Sequence, residues 1–133
     1  MLTRRGFAAC ALCAVTGFVA TGAEAQNAPG GLKRTIFTRT DGPMEGYETV
    51  NARVDLDAGA LVARHTHPGI ESSYVVDGAL ELSVDGQGAR TFKTGDGFQV
   101  PPRVPHSGKT GDKPTILAIT YVVEKGKPLV SPA

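Results

Sequence analysis

The feature that most constrains this chain is a rhythm of short β-prone runs broken by turn residues. "RTIFTR", "YETVNARVDL", "ALVARH", "SSYVVD", "ALELSV", "RTFK", "GFQV" and "TILAITYVV" are rich in Val, Ile, Thr and aromatic residues. Between them stand "TDGPMEG", "DAG", "HPGI", "DG", "DGQGA", "KTGD", "PPRVP" and "SGKTGDKP", segments whose Gly, Pro and Asp content suits tight turns. No window after residue 25 shows a sustained helical period. About eight short strands with no helices between them predict an antiparallel sandwich or barrel and argue against a parallel α/β sheet.

The first 25 residues read differently. Arg4 and Arg5 precede an apolar run from Phe7 to Ala20, and Ala23-Glu24-Ala25 follows it. That order is the anatomy of an export signal. Thr3-Arg4-Arg5-Gly6-Phe7 resembles a twin-arginine motif, and an Ala- and Gly-rich apolar run suits that route. A retained membrane anchor is the rival, but fourteen residues of helix rise only about 21 Å against a hydrocarbon core of roughly 30 Å. Cleavage near Ala25 and a periplasmic or secreted protein without a stable membrane anchor are therefore expected. The sequence divides into residues 1–25 as signal, 26–34 as a flexible Gly/Pro-rich lead-in, 35–124 as one β-domain and 125–133 as a C-terminal tail or edge segment. Both cysteines, Cys10 and Cys13, lie in the signal, so the exported chain would offer no thiolate. The net charge is +1 and no basic run is interleaved with aromatics, which argues against a nucleic-acid partner.

The chemistry concentrates in "RHTHPGIE". His65 and His67 are two of only three histidines, and on a strand residues i and i+2 face the same way, so the two imidazoles stand side by side. Pro68-Gly69 turns the chain and Glu71 opens the next strand, from which its carboxylate can swing back. His106, the third histidine, follows "PPRVP". Each residue alone has a plain reading: a half-exposed pair, a solvated turn carboxylate, a hydrogen-bonded loop histidine. Brought together, three imidazoles and one carboxylate suit one divalent iron, manganese, nickel, zinc or copper ion and not calcium.

The spacing resembles that of the cupins, small jelly-roll barrels. Their first motif, G(X)5HXH(X)3-4E(X)6G, is met at Gly59, His65, His67, Glu71 and Gly78. The second, G(X)5PXG(X)2H(X)3N, is met at Gly95, Pro101 and His106, with Arg103 in place of Gly and Thr110 in place of Asn. These two departures fall at turn positions and put a loop shape in doubt, not the ligands. The resemblance implies an all-β, single-domain cupin jelly-roll barrel, also described as a double-stranded β-helix. It further implies one metal held by His65, His67, Glu71 and His106, and a homodimer that pairs edge strands. It does not imply a reaction, because function lives in the site and not in the fold.

Other motifs are weaker. "GKT" at Gly108 to Thr110 lacks the upstream Gly and following helix of a phosphate loop and reads as a turn, while "DGQGAR" reads as a hairpin. Ser72, Ser73 and Ser107 occupy no nucleophile elbow. Ser73 and Val75 share the parity of Glu71, and Phe98 or Gln99 is placed near the mouth, so these four are the expected pocket residues. The expected function is a metal-dependent enzyme of dioxygenase type acting on a small organic molecule. A non-redox Lewis-acid isomerase or lyase, or a non-catalytic module that binds a metal or small ligand, is the alternative.

Overall fold

A computed structural model of the chain describes residues 23–133. Residues 1–22, where most of the expected signal lies, fall outside that range. The described part is all-β, with eleven strands: β1 (Glu24–Ala28), β2 (Leu32–Asp41), β3 (Tyr47–Leu56), β4 (Leu61–Thr66), β5 (Gly69–Asp77), β6 (Ala79–Val84), β7 (Gly88–Lys93), β8 (Gly97–Val100), β9 (His106–Thr110), β10 (Thr115–Glu124) and β11 (Ser131–Pro132). They form two antiparallel sheets, ordered β1-β2-β3-β10-β5-β8 and β11-β4-β9-β6-β7. No described helix is long and apolar enough to cross a membrane.

The strands form because their side chains alternate. In β3, Val50, Ala52, Val54 and Leu56 point inward, and in β10 Thr115, Leu117, Ile119, Tyr121 and Val123 do the same. The two strands pair along ten residues, and their inner rows meet Val75, Leu80, Leu82, Val84, Phe92 and Val100 in one core. Gly78 permits the sharp β5–β6 link: its φ is +89°, and a Cβ there would stand 2.4 Å from the Pro114 carbonyl oxygen.

Two segments depart from expectation. Gln26–Ala28, expected in a flexible lead-in, belong to β1 and pair with Leu32–Arg34 of β2, with residues 29–31 forming the turn between the two strands. β1 begins at Glu24 and so straddles the expected cleavage point. Gly108–Thr110, read as a turn, lies within β9, an inner strand between β4 and β6. The C-terminal segment is an edge: Ser131 and Pro132 pair with Thr66 and His65.

The two departures from the second motif are accommodated. Arg103 adopts φ +60°, the left-handed conformation for which Gly is suited, while its N–H donates to the His67 carbonyl (3.0 Å) and its guanidinium to Glu124 (2.7 Å). Thr110 is buried, its hydroxyl donating to the Asp57 carbonyl (2.6 Å) and accepting from the Ala60 N–H (2.8 Å). The hydroxyl thereby ties the β3–β4 turn to β9, and the loop shape survives both substitutions.

Candidate metal centre

His65 is inward on β4, where the pairing with β9 shifts register between Val62 and His65. Bulges of this kind re-aim side chains, and the ring Nδ1 of His65 meets the carbonyl of Ala63, inside the irregular stretch, at 2.7 Å. His67 follows one residue beyond β4 and is also inward, as the i, i+2 spacing required. Glu71 lies on β5, flanked by Tyr121 of β10 and Val100 of β8. His106 opens β9 directly opposite His65.

These elements bring all four sequence-proposed donors together. Each residue is buried, and one donor atom from each lies within 4.8 Å of the others. The ring centroids are 4.1 Å apart for His65 and His106, 4.8 Å for His65 and His67, and 5.0 Å for His67 and His106. Glu71 Oε2 stands 2.8 Å from His67 Nε2 and 3.4 Å from His106 Nε2.

The outer nitrogens decide what the inner ones can do. Nδ1 of His65, His67 and His106 lies 2.7, 2.7 and 2.9 Å from the carbonyl oxygens of Ala63, Leu129 and Val104. A carbonyl only accepts, so each Nδ1 carries the proton and donates it. In a neutral ring that leaves the Nε2 lone pair facing inward. Nε2 of His67 and of His106 are buried with no aligned hydrogen-bond partner among the described residues. Buried polar atoms are rarely left so. Metal-binding histidines have this arrangement, with the second ring nitrogen held by an acceptor. Ser73 donates to Glu71 Oε1 at 2.6 Å, which directs the other carboxylate oxygen toward the rings.

The titration behaviour follows from burial and proximity. Burial pushes the Glu71 carboxyl up, but His106, His67 and Ser73 outweigh it and hold the group well below the usual carboxylate range. Burial dominates at His65 and lowers it to about 4, against the pull of the Ala63 carbonyl. At His106 burial is overcome by Glu71 and the Val104 carbonyl, and the ring is raised above its ordinary value. Tyr121, fully buried, is pushed up by burial and by Glu71, and Arg34 opposes the shift.

Glu71, His65 and His106 border a cavity of ≈ 40 Å³ that Arg34, Phe98 and Tyr121 also line. Of the four expected pocket residues, Phe98 lines this cavity and Ser73 orients Glu71. Val75 is fully buried in the apolar core and Gln99 points outward to Ser72 (3.0 Å), so neither faces the cavity. Their parities explain the difference: in β8 the inward positions are Phe98 and Val100, and Gln99 falls between them. A second cavity of ≈ 200 Å³ shares Leu32, Arg34, Val62 and His65 with the first and is framed by Ala28, Pro29, Val130 and Pro132. This second cavity lies beside β1 and the C-terminal segment, whereas Gln99 lines a separate groove of ≈ 590 Å³ together with Ser72, Ser73 and Phe98.

Three contributors escaped the sequence reading. Arg34 and Tyr121 could have been found, since each is polar at an inward position of an otherwise apolar alternation. The Leu129 carbonyl left no signal, because every residue carries one. Its role yields a prediction: a chain ending at Lys127 should lose about 10- to 100-fold in metal affinity, the effect typical of removing a partner that orients a ligand. Metal titration against a competing chelator checks this, and an unchanged affinity would remove Leu129 from the account.

A β-barrel closed around three imidazoles and one carboxylate, with each ring anchored to the backbone, defines the class as a small barrel with a candidate metal centre. A family model described as Cupin domain matches residues 52–124, and the chain belongs to the cupin family. Among solved structures it is similar to an RmlC-like cupin from Shewanella frigidimarina NCIMB 400, with 29% identity over 78% of this chain and 86% of that one and a TM-score of 0.63. It is also similar to KdgF from Halomonas sp. (23% identity, 77% and 88% covered, TM-score 0.63). The DMSP lyase DddQ from Ruegeria pomeroyi DSS-3 shares 19% identity over 84% of this chain and 61% of that one, with a TM-score of 0.70. The last two likenesses concern the fold. A comparison with curated proteins found no match.

Proposed function

We propose that this cupin is exported and binds one divalent transition metal through His65, His67, Glu71 and His106, and that it is an enzyme of dioxygenase type acting on a small organic substrate. The observation that carries the metal reading is the set of three Nδ1 donors, each spent on a backbone carbonyl, behind Nε2 atoms that converge on Glu71. When bound, the metal would supply activation of O2 or, for zinc or manganese, Lewis-acid polarisation of a carbonyl. The chain's own residues hold and orient: Ser73 directs the carboxylate of Glu71, and Phe98 and Leu82 form an apolar wall of the inner cavity.

One observation favours a non-redox isomerase or lyase as a second reading. Tyr121 lines the same cavity, and its hydroxyl, kept protonated by burial and by Glu71, can hydrogen-bond a carbonyl oxygen held there. A non-catalytic binding module would need the cavity but not that hydroxyl. Export rests on residues 1–25 as described above. A homodimer is supported by Ile70, Tyr74 and Val76, which lie exposed on the outer face of β5.

Protein purified from its native host should carry about one transition metal per chain, read by elemental analysis. No metal above that of a chelator-stripped control would overturn the metal reading. O2 uptake by the iron-, nickel- and copper-loaded protein across enols, phenols and diketones then separates the chemistries. Consumption supports a dioxygenase, and its absence in all three forms moves the assignment to the Lewis-acid or binding reading.

A further inference from the structure

Arg34 stands where an apolar residue is expected. On β2 the inward positions are Leu32, Arg34 and Ile36, and Arg34 is only 9% exposed. Its Nε is buried with no hydrogen-bond partner, and no carboxylate pairs with its guanidinium among the described residues. A buried cation without a counter-charge is costly, and the Arg34 guanidinium meets the neutral Tyr121 hydroxyl in place of a carboxylate. The cost is tolerable where a ligand supplies the missing partner, since sites that bind charge trade stability for function.

Its location indicates which ligand. Arg34 borders the inner cavity together with Glu71, His65 and His106, and it also borders the outer cavity. Arg34 is thus shared by the space beside the four donors and the larger space outside it. The planar fork of an arginine matches a carboxylate in bidentate fashion and holds it better than a point charge does. The inner space of ≈ 40 Å³ admits little more than one small polar group, whereas the outer space of ≈ 200 Å³ is walled by Ala28, Pro29, Val130 and Pro132.

We infer that Arg34 is the recognition residue for a small organic carboxylate, held with its acid group at the guanidinium between the two cavities and its short apolar remainder toward the outer cavity. The inference names the substrate class of the proposed site and rests on the reading that the barrel interior is where the ligand binds. Neutral isosteres of the same size are discriminated against, because they leave the charge of Arg34 buried without a counter-charge.

Calorimetric titration of the full chain, metal-loaded and metal-free, with propionate, butyrate and pyruvate and with their methyl esters tests this. At least one acid should bind at least about tenfold more tightly than its ester, as expected for a charge-assisted bidentate contact. Arg34→Gln should lose that preference, and Arg34→Lys should recover part of it, while both keep wild-type metal stoichiometry. Arg34→Met should melt several degrees higher than the wild type when ligand-free, because it removes a buried charge that no carboxylate balances, yet show no rise in Tm with acid. Acids that bind no better than esters, no binding by any acid, wild-type acid affinity in Arg34→Gln, or a lower ligand-free Tm in Arg34→Met would each overturn the inference. Failure of the metal reading is separate: it appears as absent metal stoichiometry in the wild type, and the acid titrations of metal-free protein still decide the role of Arg34.

Discussion

Replacing His106 with alanine should leave a folded barrel that binds its metal at least about 100-fold more weakly than the wild type. Loss of a residue that merely orients a ligand typically costs 10- to 100-fold in affinity, and loss of a ligand itself should cost no less than the top of that range. The reasons for expecting the fold to persist are local. β9 is held by backbone pairing to β4 on one side and to β6 on the other, and neither ladder needs the imidazole. The substitution leaves the Val104 carbonyl without its donor and the Glu71 carboxylate with one neighbour fewer. A group left unsatisfied in this way costs about 1–3 kcal/mol, a serious but survivable loss for a domain. Zinc or manganese titration against a chelator, alongside circular dichroism, checks both halves of the expectation. A variant that binds as tightly as the wild type would take His106 out of the ligand set.

Gly69→Ala should be the most damaging small substitution near the site, lowering stability by about 3 kcal/mol or more. A Cβ at residue 69 would stand 2.0 Å from the Val122 carbonyl oxygen, 2.6 Å from Val123 Cα and 2.8 Å from Val122 C. All three are backbone atoms of β10, which is pinned between β3 and β5 and cannot swing aside as a side chain could. For a domain of this size the loss corresponds to a fall in Tm of roughly 12–24 °C. The damage should reach function as well. Gly69 begins the strand that carries Glu71 two residues on, so a displaced β5 moves the carboxylate away from the three rings. Thermal and urea unfolding read the first effect and metal titration the second. A variant within about 1 kcal/mol of the wild type would show that β5 and β10 can separate at little cost.

The legible and illegible parts of this fold divide on physical lines. The strand runs from "YETVNARVDL" to "TILAITYVV" were readable because alternation with a period of two marks a strand buried on one face. β9 was not, because "HSGKT" carries Gly, Lys and a single β-branched residue. It is a strand because two neighbours pair with its backbone, and Gly108 within it lets Leu80 of β6 approach, a Cβ there lying 3.0 Å from Leu80 Cδ1. The segment around Pro29 and the C-terminal residues look like linkers in composition, yet both are edges that frame the outer cavity. Edge pairing is decided by what lies alongside, which composition does not encode. Arg103 shows the reverse case, in which a residue unsuited to positive φ accepts it because the surrounding loop is held by the His67 carbonyl and Glu124.

The sequence by itself determined the donor set and the class of architecture. His65, His67, Glu71 and His106 were named by residue type and by the cupin-like spacing of two separate motifs, and an antiparallel sandwich or barrel by alternation and turns. Only the tertiary structure decided how the donors are armed. The tautomer of each imidazole depends on which carbonyl meets its Nδ1, and for His67 that carbonyl belongs to Leu129, far along the chain. Carbonyls are the same at every residue, so no sequence pattern distinguishes the one that is used. The same holds for Arg34, whose type was visible but whose lack of a carboxylate partner was not, because a missing counter-charge is defined by everything that fails to come near it.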